Sequence, residues 1–275
     1  MSATSVSTRP AGPSTPPALP ARPAALRLYA LEFRSEIVKL LRMPSHTIPG
    51  LLFPAMFYMF FGVMFGKSAP QGGIMLSRYL IATYGAFGVI GASLWGLGAG
   101  VAIERGQGWL TVKRATPMPL SAYFAAKLAT SMVFALTVVL ILVVLGATLG
   151  GVTLTAGMWL GLIVVLWLGA LPFCALGLAI GYLAGPNSAP AVINVIYLPL
   201  SFVSGLWIPV EGLPPVIRSI AVFLPPYHLG QLALGVIGYG QGSALEHLGA
   251  LAAATLVFVL LAAWAYRRDE GKTYG

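Results

Sequence analysis

LATSMVFALTVVLILVVLGATLGGVTLTAGMWLGLIVVLWLGALPFCALGLAIGYLAGPNSAPAVINVIYLPLSFVSGLWIPV, residues 128–210, contains no Asp, Glu, Lys or Arg from Leu128 to Val210. Built as helix at 1.5 Å per residue, it would extend on the order of 125 Å, enough for three crossings of a hydrocarbon layer roughly 30 Å thick. Its natural breaks are Gly150-Gly151 and Gly185-Pro186-Asn187-Ser188, since glycine pairs and Gly-Pro steps interrupt helices. The stretch therefore divides into segments near 124–149, 155–184 and 188–208. Upstream, residues 47–66 (TIPGLLFPAMFYMFFGVMFG) and 79–102 have span length, and a last segment near 246–266 stops at Tyr266-Arg267-Arg268. The sequence thus predicts an all-α polytopic membrane protein with six transmembrane helices. Composition agrees, at 58% hydrophobic and 8% charged residues, where soluble domains carry about 25% charged residues.

Residues 213–238 are apolar too, but Pro225-Pro226 divides them into two pieces of about a dozen residues, each too short to cross. They read as an outer re-entrant helical hairpin between spans five and six, its broken backbone buried by protein. Charge sets the orientation. With both termini cytoplasmic, the 16 Lys and Arg divide 13 inside to 3 outside, the outer three being Lys67, Arg78 and Arg218. A crossing at 213–238 would lower the split to 10 against 6, so the positive-inside rule favours six spans.

The net charge of +9 is scattered over helix ends, with no aromatic-interleaved basic stretch that could track nucleic acid. Cys174 is the only cysteine, which excludes an intramolecular disulfide and a cysteine metal cluster. His46, His228 and His247 read as separate loop or span-end residues, without HExxH or paired carboxylates. Residues 1–24, with Pro10, Pro13, Pro16, Pro17, Pro20 and Pro23, read as a disordered cytoplasmic tail; residues 25–268 form the membrane domain, and 269–275 a short cytoplasmic tail. GVMFGKS at 62–68 resembles a phosphate loop, but Phe61 stands where that motif needs its first glycine.

Two cytoplasmic segments carry polar character. In RLYALEFRSEIVKLLRM, residues 27–43, the apolar Tyr29, Ala30, Phe33, Ile37, Leu40 and Leu41 share one helical face. Arg27, Glu32, Arg34, Glu36, Lys39 and Arg42 take the other. Such a helix lies on the inner membrane surface with its cations toward lipid phosphates, or packs on another protein face. The second segment, ERGQGWLTVKRATPMPLSAYFAAK at 104–127, holds a possible two-turn helix from Trp109 to Thr116. It is either a contact point for a soluble partner or a basic loop that only enforces topology.

Glu104-Arg105, Gly108, Leu110, Arg114 and Pro117 resemble the E-x-x-x-G-x-L-x-x-x-R-x-x-P loop of type-2 permeases of ABC exporters. Ser204-Gly205-Leu206-Trp207-Ile208-Pro209, Leu213-Pro214 and Pro225-Pro226-Tyr227 resemble that family's end of span five and its outer re-entrant segment. The helix containing Phe33, Ile37, Leu40 and Leu41 is similar to its interfacial elbow. The likeness implies a subunit of the bacterial plasma membrane, paired as a homodimer or with a related permease, in contact with lipid and joined to separate ABC ATP-binding subunits. No cofactor would be bound directly, ATP and Mg residing on the partner ATPase. The first loop would dock on the ATPase, and Pro209, Glu211, Arg218, Pro225, Pro226, Tyr227 and His228 would form an outer gate. The expected cargo is hydrophobic or amphipathic: a drug, a natural product or a lipid-linked glycan. The alternatives are an ion-coupled secondary transporter and a non-transporting anchor or sensor. The lack of an ionisable residue deep in a span weighs against the former.

Overall fold

Paired glycines, prolines and apolar runs divide this chain into helices at nearly the positions expected from the sequence. The structure, a computed structural model, describes residues 25–42, 44–66, 75–116 and 118–269. The Pro-rich tail, the Lys67 end of the phosphate-loop-like segment, Pro117 and residues 270–275 lie outside those residues, as do the side chains of His46 and Arg114. No strand occurs among the described residues.

In chain order the helices are α1 (Ala25–Arg42), α2 (Pro44–Phe57), α3 (Leu76–Ser93), α4 (Gly100–Gly106), α5 (Trp109–Arg114), α6 (Leu120–Thr148), α7 (Ala156–Leu168) and α8 (Leu171–Leu183). They continue with α9 (Ala189–Val203), α10 (Pro215–Ala221), α11 (Pro225–Val236) and α12 (Ala244–Asp269). Helix α2 runs on into a π-helical turn at Tyr58–Met64, and a second π-helical turn, Leu94–Ala99, joins α3 to α4.

Four helical units are long and apolar enough to cross a membrane: Leu76–Gly106, Leu120–Thr148, Ala156–Leu183 and Ala244–Asp269. The bent pair α10–α11, with 86° between its arms, makes five if taken as one crossing. Gly50–Met64 and Ala189–Val203, which fall on the expected first and fifth spans, are shorter apolar helices. Helix α9 stops early because Gly205 turns left-handed at φ 77°, a conformation that glycine adopts without steric cost.

Helix α3 is the centre of the bundle. Its unit is 78% buried, whereas that of α12 is 17% buried and presents Leu256, Leu260 and Trp264 outward. Around α3 pack α2, α6, α7, α8, α9 and α11. Phe87 stacks on Tyr197 at 4.6 Å, and the Tyr197 hydroxyl donates to the Phe87 carbonyl at 2.8 Å. The Trp167 indole N–H likewise donates to the Met132 carbonyl at 3.0 Å, tying α7 to α6. These bonds fasten apolar helices where lipid supplies no hydrophobic drive for association.

Gly177 and Gly181, one helical turn apart on α8, let it approach its neighbour closely. A Cβ on Gly177 would lie 2.9 Å from the Ser93 carbonyl oxygen, and one on Gly181 would lie 3.0 Å from that of Gly98. Helix α8 therefore touches the Leu94–Ala99 turn backbone to backbone. Proline acts in two ways. Pro199 lies inside α9, whereas Pro172, Pro190, Pro215 and Pro225-Pro226 occupy the first turns of their helices, where a missing N–H leaves no bond unmade. The Pro225-Pro226 pair thus starts α11, and the chain turns just before it, at Val222–Leu224.

Candidate functional site

The charged residues of the described chain gather at the two ends of the bundle. At the first, α1 lies along α6, and its two carboxylates are turned inward while Arg27, Arg34 and Arg42 stay exposed. Glu36 is buried and Glu32 half-buried, while Leu41 on the expected apolar face is exposed. Phe33, Ile37 and Leu40 are half-buried, with Leu40 packed against the main core. This differs from a helix whose charges all face lipid phosphates, and the reason is electrostatic. The two carboxylates meet cations from other elements.

Lys127, in the second turn of α6, is the hub. Its ammonium lies 2.6 Å from Glu36 Oε2 and 2.7 Å from Glu104 Oε1, with the Tyr123 ring beneath it. Glu104 also accepts from the Tyr123 hydroxyl at 2.8 Å and pairs with Lys39. Lys113 of α5 pairs with Glu32 and sits 4.5 Å above the Tyr123 ring. Glu36, Glu104 and Lys127 are all buried, so each needs its partners, because an unpaired buried charge is costly. Lys39 is more open, its side chain 43% exposed. Desolvation and then the neighbouring Lys127 ammonium push its pKa down to about 8, against the pull of Glu36.

Arg105 points the opposite way. It donates to the carbonyls of Gly181 at 2.5 Å and Ala184 at 2.9 Å, satisfying the open end of α8. Its Nε lies 3.6 Å from Asp269 of α12, and its guanidinium covers the Tyr182 ring. Neighbouring residues at the end of α4 therefore brace two different halves of the bundle.

Gly108, left-handed at φ 77°, then turns the chain into α5. Leu110 anchors that short helix in a small core of Val101, Tyr123, Tyr182 and Ala265. Trp109 and Val112 point outward, 54% and 58% exposed. Of the loop residues singled out in the sequence, Glu104, Arg105 and Leu110 are buried and structural in their contacts. A cleft of about 600 Å³ opens between α1, α4, α5, α6 and the Leu94–Ala99 turn. The charges of Glu32, Glu36, Glu104, Lys39, Lys113 and Lys127 line it. Sequence reasoning took Lys113 and Lys127 as loop cations and did not foresee their carboxylate partners. Those partners lie up to 91 residues away.

The second end is held together differently. Arg218 donates to the Glu211 carbonyl at 2.6 Å, and Gln241 hydrogen bonds to the Glu211 carboxylate. Gln231 accepts from the Gln241 amide at 2.8 Å. His228 and His247, expected to be separate, meet with their Nδ1 atoms 2.9 Å apart. His247 Nε2 lies 2.6 Å from the Gln241 carbonyl, which can only accept. A neutral His247 is therefore protonated at Nε2 and accepts at Nδ1 from His228. Tyr227 joins Val210, Leu213 and Ala221 in a small apolar cluster, and Pro209 leads into the 3-10 turn Val210–Gly212. Arg78, at the start of α3, donates to the Ile237 carbonyl at 3.1 Å and lies over the Tyr239 ring.

A helical bundle with several apolar helices of membrane length and charge confined to its ends is a multi-pass membrane protein. Within that class, residues 28–237 match the family described as ABC-2 type transporter. YvfS of Bacillus subtilis (strain 168), a protein named as a transport permease, is 30% identical over 236 residues, 86% of this chain and 96% of that relative. The chain belongs to the ABC-2 type transporter family and is a transmembrane transporter subunit, of a kind that normally works with an ATP-binding subunit.

Proposed function

We propose that this chain is the membrane subunit of an ATP-driven exporter in a bacterial inner membrane, with ATP and Mg bound and hydrolysed on a separate ABC subunit. The observation that carries the reading is α5. This short helix presents Trp109 and Val112 outward, while Leu110 and the Lys113–Glu32 pair fix it to the bundle. A helix anchored on one face and apolar on the other suits a mechanical contact, because hot-spot contacts favour aromatic anchors such as Trp. Gly108 turns the chain into α5, Glu104 and Arg105 brace the end of α4 that leads to it, and Arg114 and Pro117 belong to the same loop in sequence.

In this reading the shorter helices Gly50–Met64 and Ala189–Val203 are the first and fifth of six crossings. Helix α1 is the elbow at the inner surface, both termini are cytoplasmic, and α10–α11 re-enter from outside as a gate. Two such subunits, or this one and a related permease, enclose a path for a hydrophobic or amphipathic molecule. The test is Val112→Asp, alone and with Trp109→Ala, in permease purified with its ATP-binding subunit from membranes. Co-purification should fall at least about tenfold for the double variant, as expected for loss of an interface anchor worth about 1.4 kcal/mol or more. Undiminished co-purification and ATP hydrolysis would remove α5 from the interface.

A further inference from the structure

The cleft at the α1 end has features that bracing alone leaves unused. Thr130 lines it, is 8% exposed, and its hydroxyl has no hydrogen-bond partner among the described residues. Such a group is costly to bury unless something completes it. Gly96, in the π-helical turn and packed against Ser131, and Gly100 line it too, and π-helical turns recur at functional sites. A Cβ placed on Gly100 would meet nothing closer than 4.0 Å. Leu40, Ile103 and Phe134 make part of the wall apolar.

The six charges that line the cleft comprise three carboxylates, on Glu32, Glu36 and Glu104, and three ammoniums, on Lys39, Lys113 and Lys127. Their sum is zero, which restricts what they can accept. A singly charged guest that pairs with one ammonium strands the carboxylate it displaces, and a cation does the reverse. A guest carrying both charges exchanges pair for pair and leaves no buried charge alone. The apolar part of the wall suits a hydrocarbon chain.

We infer that this cleft binds an amphiphile whose head carries both an ammonium and a phosphate or carboxylate, with its chain along Leu40, Ile103 and Phe134 and a head oxygen or nitrogen on the Thr130 hydroxyl. The inference rests on the inner-surface position proposed above for α1, from which a membrane amphiphile can enter. The guest is either a resident lipid or the cargo, since both sources offer this chemistry.

Binding is measurable on the purified permease alone, by native mass spectrometry in a non-ionic detergent, and so is independent of whether an ATPase drives the chain. The probes are phosphatidylethanolamine, anionic phosphatidylglycerol and a dialkyl trimethylammonium lipid. Phosphatidylethanolamine should bind at least about tenfold more tightly than either singly charged lipid. Thr130→Val, which keeps the shape and removes the hydroxyl, should weaken that binding about fivefold, the worth of one hydrogen bond. Gly100→Leu, which fills an open space, should abolish the preference. Equal binding of the three lipids, or a preference unchanged in Gly100→Leu, overturns the assignment. In vesicles with the ATP-binding subunit and ATP, a cargo changes leaflet and a resident lipid stays, which identifies the source.

Discussion

At the α1 end, Glu36, Glu104, Lys39 and Lys127 join α1, α4 and α6 by pairing one ionised side chain with another. At the α11 end, Arg78, Arg218 and His247 reach instead for backbone carbonyls. A carbonyl is present whatever the side chain and stays available after a small shift, whereas a buried cluster of carboxylates and ammoniums holds only while its charges stay balanced. The first end is thus held by a network of paired charges and the second by bonds that tolerate a small shift.

The largest expected effect breaks the first end. Lys127→Met leaves Glu36 and Glu104 buried with only the more exposed Lys39 shared between them, and removing one partner of a buried ion pair costs about 3–5 kcal/mol. Thermal unfolding of the purified protein should show that loss, with part of it recovered by adding Glu104→Gln. A change below about 1 kcal/mol would mean the cluster is already hydrated and the contrast between the ends is false.

Next comes His247→Leu at the other end, which removes two hydrogen bonds but leaves no charge stranded. The expected cost is about 1–2 kcal/mol. Hydrogen exchange should quicken at residues 238–243 while α1 and α6 remain protected. Quickened exchange in α1 would show that the two ends are not independent.

The smallest effect sharpens the comparison. Lys39 has a folded pKa of about 8 against an ordinary 10.5. Between these values the unfolded chain binds the proton more tightly, so stability rises slightly with pH through that window. Lys39→Met should remove the slope. At pH 8, an amine-selective acylating reagent should modify Lys39 ahead of Lys113 and Lys127, which are more enclosed. Preferential modification of Lys127 would place the cluster's open side elsewhere.

Much of the helix layout was legible because lipid imposes it. Absence of charge from Leu128 to Val210 required several helices, and the Gly150-Gly151 break falls between α6 and α7 and the Gly185–Ser188 break between α8 and α9, as expected. The 100° periodicity of α1 placed Glu32, Glu36 and Lys39 on one face, yet could not say that this face turns inward. That outcome depends on Lys113 and Lys127, which arrive only when α5 and α6 fold beside it. The His228–His247 pair was hidden for the same reason, since 19 residues and a turn separate the rings. Local pattern also failed at Leu94–Ala99, where Trp95, Gly96 and Gly98 read as ordinary helix. The π-helical hydrogen bonding there accompanies the close approach of Gly177 and Gly181.

That turn also sets the phase of everything downstream. Each residue advances an α-helix by about 100°, and a π-helical turn accommodates one residue more than α-helical winding would. The direction in which α4 presents Glu104 and Arg105 is therefore fixed by residue count as well as by residue identity. Deleting one residue among Leu94–Ala99 would let the segment rewind as α-helix with Glu104 and Arg105 still facing their partners, and would remove the bulge that lies against Gly177 and Gly181. Deleting one residue from the α-helical winding beside it, with the π-helical turn kept, would instead rotate both charges by about 100°.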